Sequence, residues 1–164
     1  MRLLALDQSL NTTGVAVFDN NEILNYGAFT IHSNQELGKR LTEFLYQLDD
    51  LYAAYHFDAI AYEDIQLQMG NVETYRKLAY IQAMILFWCE KNEKNLYCLS
   101  PSHWRKVLKE KYGMSWGRKR VEQKQTAINF IQEHYKKEVD SDTADAICIG
   151  CAANIEINKN ESAF

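Results

Sequence analysis

The chain has one proline, seven glycines and four cysteines in 164 residues, and no apolar run approaches the ~18 residues of a membrane span. Each shortage excludes something. So little proline and glycine leaves no linker or low-complexity stretch, and no internal repeat is visible, so residues 1–157 are expected to form a single domain with a polar tail at 158–164. A lone Arg2 and a few apolar residues lead straight to Asp7, which is not a signal-peptide pattern, and a soluble cytoplasmic protein is expected. Cys89, Cys98, Cys148 and Cys151 lie inside apolar segments. Cys148 and Cys151 form a C-x-x-C, but on one expected helix without a second pair or a histidine at ligand spacing, so all four are read as reduced core residues rather than a zinc site.

What is present is an ordinary globular composition, 47% hydrophobic, in a chain long enough to bury a core without disulfides or a structural metal. The net charge of −4 argues against bulk attraction to nucleic acid, yet its distribution is uneven. Between Ser102 and Lys137 ten basic residues face three acidic ones, giving +7 and leaving −11 for the remainder. A basic segment on an acidic body is either a solvated helix surface or the footprint of a protein that meets phosphate on one face.

Leu3–Leu6 reads as a buried strand that stops at a carboxylate, Asp7, and a polar turn leads to a second strand at Val15–Phe18. Asp19-Asn20-Asn21 is a turn signal before a third strand at Ile23–Ile31, so the first three strands form an antiparallel meander. Leu37, Leu41, Phe44, Leu48, Leu51 and Tyr55 recur at spacings of three and four, which is an amphipathic helix. Asp58–Asp64 is a fourth strand, again ending in acids. Residues 72–91 form a helix whose recurring set is Val72, Tyr75, Leu78, Ala79, Gln82, Ala83, Leu86 and Phe87, and Asn95–Leu99 a fifth strand. Ser100-Pro101 opens a short basic helix ending near Lys111. Tyr112–Gly117 is expected as a mobile loop or hairpin, and Arg118–Tyr135 as a helix with Val121, Ile128, Ile131 and Tyr135 inward. A last helix opens at Ser141 or Asp142 and runs to about Ile155. The order β-β-β-α-β-α-β-α-α-α predicts an α/β fold: a five-stranded mixed sheet, three strands antiparallel and two parallel, with helices on both faces.

Chemistry gathers at acids. Asp142 and Asp145 are three apart, on a helix face that continues as Ala146, Ile149 and Ala153 and packs on the sheet. Dipole and capping preferences explain acids in a first turn, but not why these two head the buried stripe. With Asp7 and Glu63 at strand ends, four carboxylates can converge on one point. Alone they would repel; around two divalent cations they form a site for phosphodiester hydrolysis, and hard oxygen ligands suit Mg²⁺ or Mn²⁺. Strand alternation puts Glu63 and Asp64 on opposite faces, so only one joins the cluster.

Leu6-Asp7-Gln8-Ser9 with Thr13-Gly14, Ala59-Ile60-Ala61-Tyr62-Glu63, Ser100-Pro101 with Trp104-Arg105, and Asp142-Thr143-Ala144-Asp145-Ala146 together resemble the RuvC family of Holliday junction resolvases, within the RNase H-like, retroviral-integrase superfamily. The resemblance spans residue 3 to about 153. It implies an RNase H-like fold and Asp7, Glu63, Asp142 and Asp145 as metal-binding catalytic acids, and selects Glu63 over Asp64. It also implies two Mg²⁺ or Mn²⁺ ions and a homodimer making paired nicks in a four-way DNA junction, in a prokaryotic or phage-infected cell. Arg105 stands where the family places a basic residue near the scissile phosphate; Lys124 in the next helix is a second candidate, with Lys106, Arg118, Lys119 and Arg120 as further DNA contacts.

Two departures stand out. Gln8-Ser9 replaces the usual Pro-Gly, which suggests a divergent, phage-type branch. Gln66 stands where the family has an aromatic, leaving Tyr75, Tyr112 or Trp116 to stack on bases.

Rival readings remain on this evidence from sequence. A sugar kinase or actin-like ATPase shares the first loop but needs a second domain and a second glycine-rich loop, for which 164 residues and seven glycines leave no room. A non-catalytic junction-binding scaffold, and an RNase H acting on RNA–DNA hybrids, stay open.

Overall fold

The computed structural model describes residues 1–32, 34–66 and 71–161. Ten elements follow in order: β1 (Arg2–Asp7), β2 (Thr12–Asp19), β3 (Glu22–Thr30), α1 (Leu37–Tyr55), β4 (Ala59–Glu63), α2 (Val72–Lys91), β5 (Asn95–Leu99), α3 (Pro101–Tyr112), α4 (Arg120–Tyr135) and α5 (Ser141–Glu161). The five strands form one mixed sheet, as expected, in the order β3-β2-β1-β4-β5, with β1–β2 and β2–β3 antiparallel and β1–β4 and β4–β5 parallel; the order across the sheet was not read from sequence. Asn20 takes a left-handed conformation in the β2–β3 turn, which asparagine tolerates better than most residues.

Strand alternation sorts the core into two layers. Leu3, Ala5, Ala16, Phe18, Ala59 and Ala61 face α3, α4 and α5, whereas Leu4, Leu6, Val15, Val17, Ile60 and Tyr62 face α1 and α2. The last helix, α5, lies against β1 and β2 and is flanked by α3 and α4, so Ala144, Ala146, Ile147, Cys148, Ile149 and Ala152 are all fully buried. Its Gly150 sits against Phe18 and Ala5, where a methyl group would collide with both.

Several expectations are corrected. The buried face of α2 is Ile81, Ile85, Trp88 and Cys89, which pack with Phe44 and Leu48 of α1 and with Phe57; Val72, Leu86 and Phe87 lie exposed. Apolar residues recur on two sides of this helix, so periodicity alone admits either. Val121 is 79% exposed, because it falls in the first turn of α4, while Ala127, Phe130 and Ile131 bury its other end. Cys98 is exposed on the edge strand β5, and the four cysteines are free.

The segment after α3 is neither helix nor hairpin. Gly113 caps α3 in a left-handed conformation, Met114 is buried and Trp116 packs inward. α5 runs past the expected end at Ile155 because Ile157 continues its buried stripe, so residues 158–161 are helical; 162–164 lie outside the described residues.

Candidate active site

Asp7 and Glu63 close the adjacent parallel strands β1 and β4, whose register pairs Leu6 with Tyr62. Both fall on the face toward α5: Asp7 follows Leu3 and Ala5, and Glu63 follows Ala59 and Ala61. Asp64, one residue on, is turned to Cys98 and Tyr62. The third approach comes from α5. Asp140 caps its start, accepting the Thr143 backbone N–H at 2.8 Å, and Asp142 and Asp145 follow in the opening turns. Gly14, the register partner of Asp7 on β2, makes that approach possible, since a methyl group there would collide with the Asp142 main-chain carbonyl.

Asp7 and Asp145 sense the other acids. Burial pushes the Asp7 carboxyl up to about 8, with the charges of Asp145, Glu63 and Asp142 adding to it and Lys124 opposing. Asp145 is raised to about 6, first by burial, with Lys124 pulling down and Glu63 pushing up. Glu63 is also raised by burial, opposed by its hydrogen bond from Trp104 and by the charges of Arg105 and Arg120. This is how carboxylates behave when gathered without an adequate counter-charge.

Neighbouring side chains take up part of that charge. Trp104 Nε1 donates to Glu63 Oε2 at 2.6 Å. Lys124 Nζ donates to Asp142 Oδ1 at 3.0 Å and to Ser141 Oγ at 2.8 Å, while Ser141 Oγ donates to Asp142 Oδ1 at 3.2 Å. The Glu63 main-chain carbonyl accepts from Gln8 Nε2 and Gln82 Nε2, which pins the end of β4 to the turn after β1. That turn is held from behind by the buried Arg40, donating to the Leu10 carbonyl and Asn11 Oδ1.

Two clefts meet at the acids. One, of about 480 Å³, is lined by Asp7, Glu63, Asp64 and Asp142 together with Gln8, Gln66, Tyr75 and Arg120. The other, of about 200 Å³, is lined by Asp7, Glu63 and Asp145 with Arg105, Arg120 and Lys124. The basic residues singled out from sequence therefore separate. Arg105, Arg120 and Lys124 stand at the acids, whereas Lys106 pairs with Glu110 at 3.8 Å and lines neither cleft, and Arg118 and Lys119 lie exposed ahead of α4. Of the candidate stacking residues, Tyr75 lines the larger cleft; Tyr112 packs against Phe130 and His134, and Trp116 against Trp104.

As they stand, no three His, Cys, Asp or Glu side chains among the described residues are disposed to hold a metal ion. Glu63 leans to Trp104 and Asp142 to Lys124, the arrangement mutual repulsion favours. The donor chemistry nevertheless fits: the two adjoining clefts bring Asp7, Glu63, Asp142 and Asp145 together without a thiolate or imidazole, a hard set suited to Mg²⁺ or Mn²⁺.

Sequence reasoning missed Arg40, Gln82 and Ser141. An arginine inside an apolar helical stripe was the one available signal, at Arg40.

Comparison with known proteins gives the family. A family model described as Crossover junction endodeoxyribonuclease RuvC matches residues 3–152. Crossover junction endodeoxyribonuclease RuvC of Dictyoglomus thermophilum is 23% identical over 153 residues, covering 91% of this chain and 93% of that protein. Its namesake from Alkaliphilus metalliredigens is also 23% identical, covering 91% and 90%. Among solved structures, T. thermophilus RuvC in complex with a Holliday junction substrate superimposes with a TM-score of 0.73 at 14% identity, covering 96% of each chain, which establishes the shared fold.

Proposed function

The chain belongs to the RuvC family of crossover junction endodeoxyribonucleases, and on that premise we propose that it resolves four-way DNA junctions with Asp7, Glu63, Asp142 and Asp145 as its catalytic acids. The observation that carries this reading is the convergence of acids from β1, β4 and α5 at the end of two central strands, where Glu63, Asp142 and Asp145 raise the proton affinity of the buried Asp7. A cluster that unfavourable in isolation is explained by a cationic ligand.

Two Mg²⁺ or Mn²⁺ ions held by these carboxylates would supply activation of the attacking water and charge for the leaving oxygen. The chain's own residues do the rest. Arg105 and Arg120, facing the acids across the smaller cleft, are placed to hold the phosphate whose neighbouring bond is cut. Lys124 pairs with Asp142 and screens its charge. Lys106, Arg118 and Lys119, set away from the acids, are assigned to phosphates farther along the arms, where they add affinity without sequence preference.

We assign the active species as a homodimer, since paired nicks need two sites. The outward face of α2 supports this: Tyr80, Leu86 and Phe87 are 41%, 50% and 62% exposed on one helix. Residues 1–157 act as one nuclease domain, Gln8-Ser9 marks a phage-type branch, and the protein works in the cytoplasm; no helix among the described residues is long and apolar enough to cross a membrane.

The test is cleavage of synthetic four-way junctions, linear duplex and RNA–DNA hybrid in Mg²⁺ or Mn²⁺, beside EDTA and Asp7→Asn controls. Metal-dependent paired nicks confined to branched DNA and lost in the variant are expected. Binding without cutting in either metal would leave a junction scaffold, and cutting of the hybrid alone would make it an RNase H.

A further inference from the structure

Trp104 is fully buried, in the first turn of α3, behind a start that Ser100 and Pro101 hold in place: the Ser100 hydroxyl accepts the His103 N–H at 3.3 Å. A buried indole N–H needs an acceptor, and most take a main-chain carbonyl or water. This one takes a carboxylate oxygen of the proposed catalytic set, Glu63 Oε2, at 2.6 Å, a short charge-assisted bond. The Trp104 ring is fixed in turn. Trp116 meets it edge-on with ring centres 5.2 Å apart at 90°, and the Arg105 guanidinium lies 4.5 Å over it and 5.8 Å over Trp116.

Trp116 belongs to the segment between α3 and α4, which is tied at both sides. Its Nε1 donates to the Arg105 main-chain carbonyl at 2.8 Å, and Gln123 Nε2 donates to the Gly117 carbonyl at 3.0 Å. The next residues along the chain are Arg118, Lys119 and Arg120. An unbroken set of contacts thus runs from the basic end of α4 to one oxygen of Glu63.

We propose that Trp104 is a positioning residue: it commits Oε2 of Glu63, leaves Oε1 as the oxygen directed at the cation, and through Trp116 ties that direction to the packing of the α3–α4 segment. The inference rests on the reading of Glu63 as a metal ligand. A carboxylate free to turn could offer either oxygen or both; one held at Oε2 offers a single donor in one direction, and losing such a partner typically weakens metal binding about 10–100-fold.

The experiment is calorimetric titration of the metal-free full chain with Mn²⁺ alone, together with the Mg²⁺ dependence of junction cleavage, for wild type, Trp104→Phe, Trp116→Phe, Glu63→Gln and Asp7→Asn. Trp104→Phe keeps an aromatic ring in the core and removes the donor together with the second ring of the indole. It should weaken Mn²⁺ at least about tenfold and raise the half-saturating Mg²⁺ by a like factor. Trp116→Phe should weaken Mn²⁺ in the same direction by less.

Wild-type Mn²⁺ affinity in a folded Trp104→Phe protein overturns the proposal, and wild-type affinity in Trp116→Phe alone overturns the link to the segment. If Trp104→Phe does not fold, the half-buried Trp116 carries the test, and an unchanged affinity in Trp116→Phe overturns the whole. Should Glu63→Gln and Asp7→Asn both bind Mn²⁺ as wild type does, the metal-site reading itself fails; if they lose it while Trp104→Phe does not, only the positioning role falls.

Discussion

On the side of the sheet that carries Asp7 and Glu63 the strands present Ala5, Ala16, Ala59 and Ala61 beside Leu3 and Phe18, while on the other side the same strands present Leu4, Leu6, Val15, Val17, Ile60 and Tyr62. Small side chains let α5 settle close to the strands, and Gly14 and Gly150 remove the last obstacles. The large side chains opposite fill the space beneath α1 and α2, where Phe44, Phe57 and Trp88 complete an apolar layer. Burial at roughly 25 cal/mol per Å² of apolar surface favours the second arrangement for stability. The first forgoes some of that area to place two helical acids beside two strand acids. One sheet thus divides its labour by face.

The largest expected effect lies where the faces meet, at the end of β4. Glu63→Gln should lower junction cleavage by about 10³-fold, while Asp64→Asn, turned to Cys98 and Tyr62, should stay within about threefold. Equal losses in a single-turnover assay would erase the distinction between the faces. A second pair sets packing against placement. Ile60→Ala should cost about 2–5 kcal/mol in urea unfolding with cleavage per folded molecule retained. Gly14→Ala should do the reverse, costing about 1–3 kcal/mol but about 10²-fold in cleavage, because it displaces Asp142.

A third prediction uses pH. The Asp7 carboxyl goes from an ordinary 3.8 to about 8, and Asp145 to about 6, so between those limits the folded chain binds protons that the unfolded chain has released. Stability contributed by these protons is full below about pH 4 and is lost as pH rises through 6 and 8. In EDTA the melting temperature should therefore fall from pH 5 to pH 8.5, and Asp7→Asn should be the more stable protein at pH 8.5, by about 3 °C. Added Mg²⁺ should raise the wild-type value more at pH 8.5 than at pH 5. The smallest effect on the fold is expected on the outer side of α2, where Phe87→Glu should change monomer stability by less than about 0.5 kcal/mol while shifting sedimentation from dimer to monomer.

What could be read from the sequence followed these same physical lines. Strand ends and the convergence of the four acids were legible because each shows a local break in pattern: an apolar run halted by Asp7 or Glu63, or a buried stripe headed by Asp142 and Asp145. The buried side of α2 was not, because Val72, Leu86 and Phe87 carry the same period as Ile81, Ile85 and Trp88. Nor did counting charges reveal direction: Arg105, Arg120 and Lys124 face the acids, while Lys106 is spent on Glu110. Trp104 was visible as part of a motif, but a hydrogen bond to a residue 41 positions earlier leaves no trace in spacing.

The burial of α5 has a bearing on when the site comes into being. Asp7 and Glu63 end strands of the sheet, but Asp142 and Asp145 sit on the helix that fills the centre of one layer. A chain with its sheet paired and α5 undocked lacks half of the acids and the helix that covers the alanine face. Docking thus acts as a gate on assembly: the complete set of acids forms only when α5 packs on the sheet.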